Sequence, residues 1–100
     1  MMMVLDIAGV QTLRQAEETL GKLRDALAQA NEVLLDCSHL DEVDLSFIQL
    51  VLAARRSADR DGKLLGLIAP AQGVLLKALD TAGILAGGPH RFWFEGRAPT

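Results

Sequence analysis

Twelve consecutive residues bring together the chain's one cysteine, one of its two histidines, two of its three serines and four acids: Asp36-Cys37-Ser38-His39-Leu40-Asp41-Glu42-Val43-Asp44-Leu45-Ser46-Phe47. A nucleophilic hydrolase needs a serine, a histidine and an acid converging beside an oxyanion hole. Ser38, His39 and Asp41 supply the types, but neighbours in one loop do not converge in that way, and no Gly-x-Ser-x-Gly turn is present. A zinc site needs spaced ligand pairs, whereas Cys37 and His39 are separated by one residue and have no second pair. Neither catalytic residues nor a metal or other cofactor are therefore expected. Gly87-Gly88-Pro89 lacks the lysine and hydroxyl of a phosphate-binding loop and reads as a turn. The remaining chemistry is electrostatic. Asp44 is suited to N-cap a helix, which places Ser46 in the first turn beside unpaired backbone N–H groups. A phosphate on Ser46 is attracted by the helix N-terminus and repelled by Asp41, Glu42 and Asp44, which is the physical basis of a switch.

The flanking sequence supplies the elements that position this segment. Residues 4–7 form a short apolar run, ended by Ala8 and Gly9, of strand length. From Val10 onward, apolar residues at Leu13, Ala16, Leu20, Leu23 and Leu27 line one helical face, with Thr12 as the expected N-cap. Gly21 interrupts that helix and predicts close packing against a neighbour. Residues 33–35 read as a buried strand with Asp36 at its polar exit, and residues 38–43 as a loop. A second helix starts near Asp44 or Leu45 and runs through Ile48, Val51, Leu52 and Arg55 to a break at residues 59–62. Residues 64–68 form another apolar strand, stopped by Pro70. A third helix carries Val74, Leu75, Ala78, Leu79 and Ala82 on one face and stops at Gly83. Residues 92–94 read as an edge strand with rings on alternate faces.

This alternation predicts an α/β fold, a small mostly parallel or mixed sheet of about four strands flanked by about three α-helices. In such a sheet the functional surface lies at the carboxyl ends of the strands, where the segment from Asp36 to Asp44 emerges. One hundred residues, half of them hydrophobic, close around a single core, expected over residues 1–96 with a frayed tail at 97–100. Charge narrows the partners: a net charge of -3 argues against a nucleic-acid binder. No apolar stretch approaches the roughly 20 residues needed to span a bilayer, and no basic segment leads into a signal-like apolar run. A cytoplasmic protein without membrane insertion is expected. The one cysteine, Cys37, lacks an internal disulfide partner and reads as a small core or strand-end residue rather than a reactive thiol.

Taken in order, residues 33–36, Val43-Asp44-Leu45-Ser46 opening an apolar helix, Asp61-Gly62-Lys63-Leu64-Leu65-Gly66-Leu67 and Leu79-Asp80-Thr81-Ala82-Gly83-Ile84 resemble STAS domains of the anti-sigma-factor-antagonist type. The resemblance spans roughly residues 4–94 and rests on the order and spacing of short motifs. It implies a non-enzymatic module that docks on a serine kinase acting as an anti-sigma factor and is released when a serine is phosphorylated. Asp44, Leu45, Ser46 and Phe47 align with the family's Asp-Ser-Ser-Gly-like motif, so Ser46 is the implied phosphoacceptor. Leu45 replaces a hydroxyl, and Phe47 places a bulky ring where the family often leaves bare backbone. Ser38, His39, Leu40, Asp41, Asp44, Leu45, Phe47 and Gln49 form the implied partner-binding set, with mixed burial expected among Leu40, Leu45 and Phe47. Sequences with Asp-Leu-Ser-Phe here also resemble STAS proteins accompanying chemotaxis or two-component systems, where the partner is a signalling kinase or phosphatase. The alternative within the family is a constitutive subunit bracing the ATPase of a bacterial lipid transporter.

Overall fold

The structure, a computed structural model, describes residues 1–84 and 90–96. Three parallel strands, β1 (Met2–Asp6), β3 (Glu32–Asp36) and β5 (Leu64–Leu67), form a sheet in the order β1-β3-β5. Their register aligns Met3, Val33 and Leu65 in one row and Leu5, Leu35 and Leu67 in another. Side chains alternate across a strand, and both rows belong to the cluster that also contains Leu23 and Ala26 of α1 (Ala16–Gln29), Ile48 and Val51 of α2 (Leu45–Arg60), and Leu75 and Leu79 of α3 (Gly73–Thr81). The core therefore lies between one face of the sheet and the helices. On the opposite face the register row is Val4, Leu34 and Gly66.

Beyond their carboxyl ends the first two strands continue into a second parallel pair, β2 (Gly9–Gln11) with β4 (Leu40–Val43), which α3 covers. Two expectations are corrected here. Residues 40–43 are a strand, not part of a loop, because the backbone of residues 9–11 lies alongside to complete their ladder. For the same reason α1 begins at Ala16 and not near Val10: residues 9–11 are strand, and Leu13–Gln15 form a 3-10 turn. Leu13, assigned to the apolar face, is 71% exposed. Thr12 still starts a helical segment, as the N-cap of the 3-10 turn, with its backbone N–H and its hydroxyl both donating to Gln15 Oε1, at 3.0 Å and 2.8 Å. The buried pair Gln11 and Thr19 ties β2 to α1, with Thr19 Oγ1 donating to Gln11 Oε1 at 2.5 Å and Gln11 Nε2 donating to the Ala8 carbonyl at 3.0 Å. The buried side chains of Gln11 and Thr19 thereby find partners, and the cost of desolvating them is offset.

The aromatic segment is also corrected, from edge strand to a short helix, α4 (Arg91–Phe94), packed on β5. Hydrogen bonds from the Leu64 and Ile68 N–H groups to β3 turn the alternate residues of β5 outward, and the outward carbonyl of Leu65 already accepts from Arg55 Nε at 3.2 Å. That position of the edge is occupied. The aromatic rings pack instead: Trp93 is 0% exposed, its ring centroid lies 4.5 Å from that of Phe92, and the Arg55 guanidinium sits 4.3 Å over the Phe92 ring. The turn expected at residues 87–89 and the tail expected at 97–100 lie outside the described residues.

Gly21 is not a close-packing glycine: a Cβ built there meets no atom within 4 Å. Its backbone freedom then only weakens the helix. Gly21→Ala is expected to stabilise the domain by about 1 kcal/mol, raising the thermal midpoint by roughly 4–8 °C for a domain of this size. A melting curve with an unchanged or lower midpoint would contradict this reading.

Candidate functional site: a groove at the start of the second helix

Asp44 organises the site. It lies between β4 and α2 in extended conformation, and its Oδ1 accepts the Ser46 N–H at 2.9 Å, which caps α2 as anticipated. Its Oδ2 accepts the Leu13 N–H at 3.1 Å, at the start of the 3-10 turn and 31 residues away in sequence. One carboxylate thus satisfies two helical starts belonging to different parts of the chain. Both bonds are charge-assisted and stronger than neutral ones.

Beside this cap, α3 lies across β4, and an open groove of about 540 Å³ separates α3 from the start of α2. Asp41, Glu42, Val43, Asp44 and Leu45 form one wall, while Val74, Lys77, Ala78, Thr81 and Ala82 form the other. Its floor and flanks are mainly apolar. Exposed Asp41 and Glu42 stand on one rim and exposed Lys77 on the other. Leu45 is 52% exposed and continues the apolar surface of the groove formed with Val43, Val74, Ala78 and Ala82.

The other proposed interface residues divide by position. Leu40 is half-buried against the core. Gln49, one turn after Leu45, is exposed. Phe47 is corrected: it is 3% exposed and belongs to the core, so it offers a partner no surface. The mixed burial expected of Leu40, Leu45 and Phe47 is thus what the structure has. Burial of Phe47 also means that its ring does not stand over Ser46. Ser46 is half-buried beside the groove without lining it, and its hydroxyl has no hydrogen-bond partner among the described residues. The residues sequence reasoning missed are those of α3. Val74, Ala78 and Ala82 were assigned to the core face together with Leu75 and Leu79, yet only Leu75 and Leu79 are fully buried. An apolar stripe broader than a core requires was the available signal.

Ser38 and His39 lie in the turn between β3 and β4, outside the groove. Asp36 Oδ1 accepts from both the Ser38 backbone N–H, at 3.1 Å, and the Ser38 hydroxyl, at 2.6 Å. These bonds, led by the hydroxyl, hold the Asp36 carboxyl below its ordinary value. Their contribution to folding is present above the usual carboxylate range and is lost as pH falls and the group protonates. Asp41, the acid of the considered triad, lines the groove instead of meeting Ser38. Asp6, Asp36 and His39 bring ligand-type atoms within 4.8 Å of one another at the carboxyl end of the sheet, with His39 Nδ1 3.8 Å from Asp6 Oδ1. Cys37 packs against the core, and burial, helped by the charges of Asp36 and Asp6, pushes its thiol up to about 12.

The sequence profile described as "Mlab, STAS domain" matches residues 2–85. The chain is a STAS domain. This family consists of regulatory and protein-interaction modules. A solved structure titled "Crystal Structure Analysis of Mglu" is similar to the domain with a TM-score of 0.59 and 25% identity, covering 69% of this chain and 17% of that one. The STAS domain therefore corresponds to a small share of that longer protein. No match was found among curated proteins. No helix of the described residues is long and apolar enough to cross a membrane.

Two outcomes follow from the geometry. Asp44→Ala removes both caps and is expected to cost about 1–2 kcal/mol, read as a lower urea midpoint with an unchanged slope. A loss within the roughly 0.5 kcal/mol of an ordinary surface change would show that the bridge contributes little. Cys37, protonated and partly buried, should resist iodoacetamide at neutral pH in the native domain and react once denaturant exposes it. Equal labelling rates in the two states would overturn that assignment.

Proposed function

We propose that this STAS domain is a non-catalytic, cytoplasmic docking module that binds a protein partner through the groove between α2 and α3, and that phosphorylation of Ser46 releases the partner. The exposed Leu45 at the mouth of an apolar groove carries the reading. A leucine half open to water beside Val43, Val74 and Ala78 supplies the apolar centre of an interface, and Asp41, Glu42 and Lys77 supply the charged rim that orients it. Ser46 is placed for control. A phosphate on its hydroxyl would bring about two negative charges beside the Asp44 carboxylate and the acidic rim, in a region that docking desolvates. The partner class is a serine kinase acting as an anti-sigma factor, or a signalling kinase or phosphatase.

One observation favours a second reading, a constitutive subunit bracing a lipid-transport ATPase. Leu45 stands where the family motif has a hydroxyl, and a permanently covered contact suits leucine better than a contact that opens and closes.

Calorimetric titration of the purified domain against two ligands, a serine kinase of the anti-sigma type and the ATPase of a lipid transporter, separates the two. Leu45→Glu should weaken binding by at least tenfold, about 1.4 kcal/mol, with native circular dichroism retained. Under the switch reading Ser46→Asp lowers affinity to a similar degree while Ser46→Ala does not. Binding to the transporter ATPase that is lost with Leu45→Glu but not with Ser46→Asp selects the constitutive reading, and binding to either ligand unaffected by Leu45→Glu removes the groove from that reading.

A further inference from the structure

The two edges of the three-stranded sheet are treated differently by the chain. At β5 the outward Leu65 carbonyl is taken by Arg55, Arg55 stacks on Phe92, and α4 packs alongside. At β1 no strand of the described residues pairs with the outer edge. The direction of its free groups follows from the ladder. The Ile7 N–H donates to the Asp36 carbonyl at 2.9 Å and the Glu32 N–H to the Met1 carbonyl at 3.4 Å, so the odd residues of this segment face β3. In a parallel strand the N–H and C=O of one residue point the same way. Those of Met2, Val4 and Asp6 therefore point outward.

Natural edge strands are usually blunted by lysine, proline, a bulge or a cover. From Met2 to Leu5 this edge has no lysine, proline or bulge, and no strand of the described residues pairs with it: the residues are Met2, Met3, Val4 and Leu5, and Val4 is 43% exposed. We propose that the β1 edge is a homodimerisation site, where β1 of a second copy pairs antiparallel about a two-fold axis through Val4, joining two three-stranded sheets into one.

The strand is complementary to itself in that register. With Val4 opposite Val4 of the other copy, Met2 lies opposite Asp6, and all three outward-facing residues fall at hydrogen-bonded positions. Each outward N–H then meets an outward carbonyl. The alternate pairs place Met3 opposite Leu5 on the helix-covered face, where both already lie against the core. The two Val4 side chains meet on the other face. The only charged residue of the strand, Asp6, is kept away from its counterpart: four residues at about 3.4 Å each put the two carboxylates about 14 Å apart, beyond the Debye length of about 8 Å at physiological salt. A one-residue shift brings inward-directed backbone groups to the interface and loses the ladder. Because the two-fold axis is normal to the sheet, the helices of both copies lie on the same face of the joined sheet.

A joint of one short strand pair is small, so association in the micromolar range is expected. Light scattering or sedimentation of the intact chain, from about 1 μM to about 1 mM, should show the mass rise from 10.8 kDa toward twice that value. Hydrogen exchange at the Met2, Val4 and Asp6 amides should slow in parallel. Val4→Lys places like charges against each other at the two-fold axis, and Val4→Pro removes the central donor, whose N–H takes no part in the ladder to β3. Both variants should remain monomeric over the whole range, and native circular dichroism of Val4→Lys keeps the comparison sound if Val4→Pro misfolds. A wild-type mass that stays at the monomer value, or a folded Val4→Lys variant that dimerises as the wild type does, overturns the proposal.

Discussion

The Asp44 carboxylate is the constraint on which the functional end of this domain depends. An N-cap normally satisfies the helix it begins, but here the second oxygen reaches the first N–H of the 3-10 turn that leads into α1. The beginning of α2 is thereby fixed relative to β2, while Gln11 and Thr19 tie β2 to α1 through a buried hydrogen bond. The register of β4, the direction of α2 and the entry to α1 are consequently interdependent. This rigidity decides which side chains at the start of α2 reach solvent. Successive residues of a helix are rotated by about 100°, so fixing Asp44 sends Phe47 into the core and leaves Leu45 out.

That division gives the groove its character. Its walls combine an exposed residue of α2 with the part of the α3 stripe that the core does not use. Leu75 and Leu79 fill the space above β4, and Val74, Ala78 and Ala82 remain at its margin. The apolar surface is bordered by acids on one side and a lysine on the other, an arrangement that favours recognition of another protein over a small polar substrate.

The sheet presents a related economy. Helices cover one face and crowd the β5 edge, where Arg55 links the strand backbone to an aromatic ring. No strand of the described residues pairs with the outer edge of β1, and the backbone groups there are directed by the same parallel ladder that builds the core. Edge chemistry and core packing here are two consequences of one register.

Much of the fold was legible from residue pattern. The apolar runs at β1, β3 and β5, the helical spacing of α2 and α3 and the capping role of Asp44 are local properties, and local periodicity reports them directly. The STAS family likewise followed from motif order along the chain. What the sequence alone misassigned depends on partners distant in the chain. Residues 40–43 become a strand because residues 9–11 supply the other half of the ladder, and residues 92–94 form a helix whose rings are buried against β5 and Arg55, contacts distant in the chain. Gly21 pointed to a contact that the fold does not make. The pattern identified Leu45 and Phe47 as apolar but could not distinguish interface from core. Hydrophobicity is a property of a side chain, whereas exposure is decided by what the rest of the chain places over it, and only the tertiary structure contains that information.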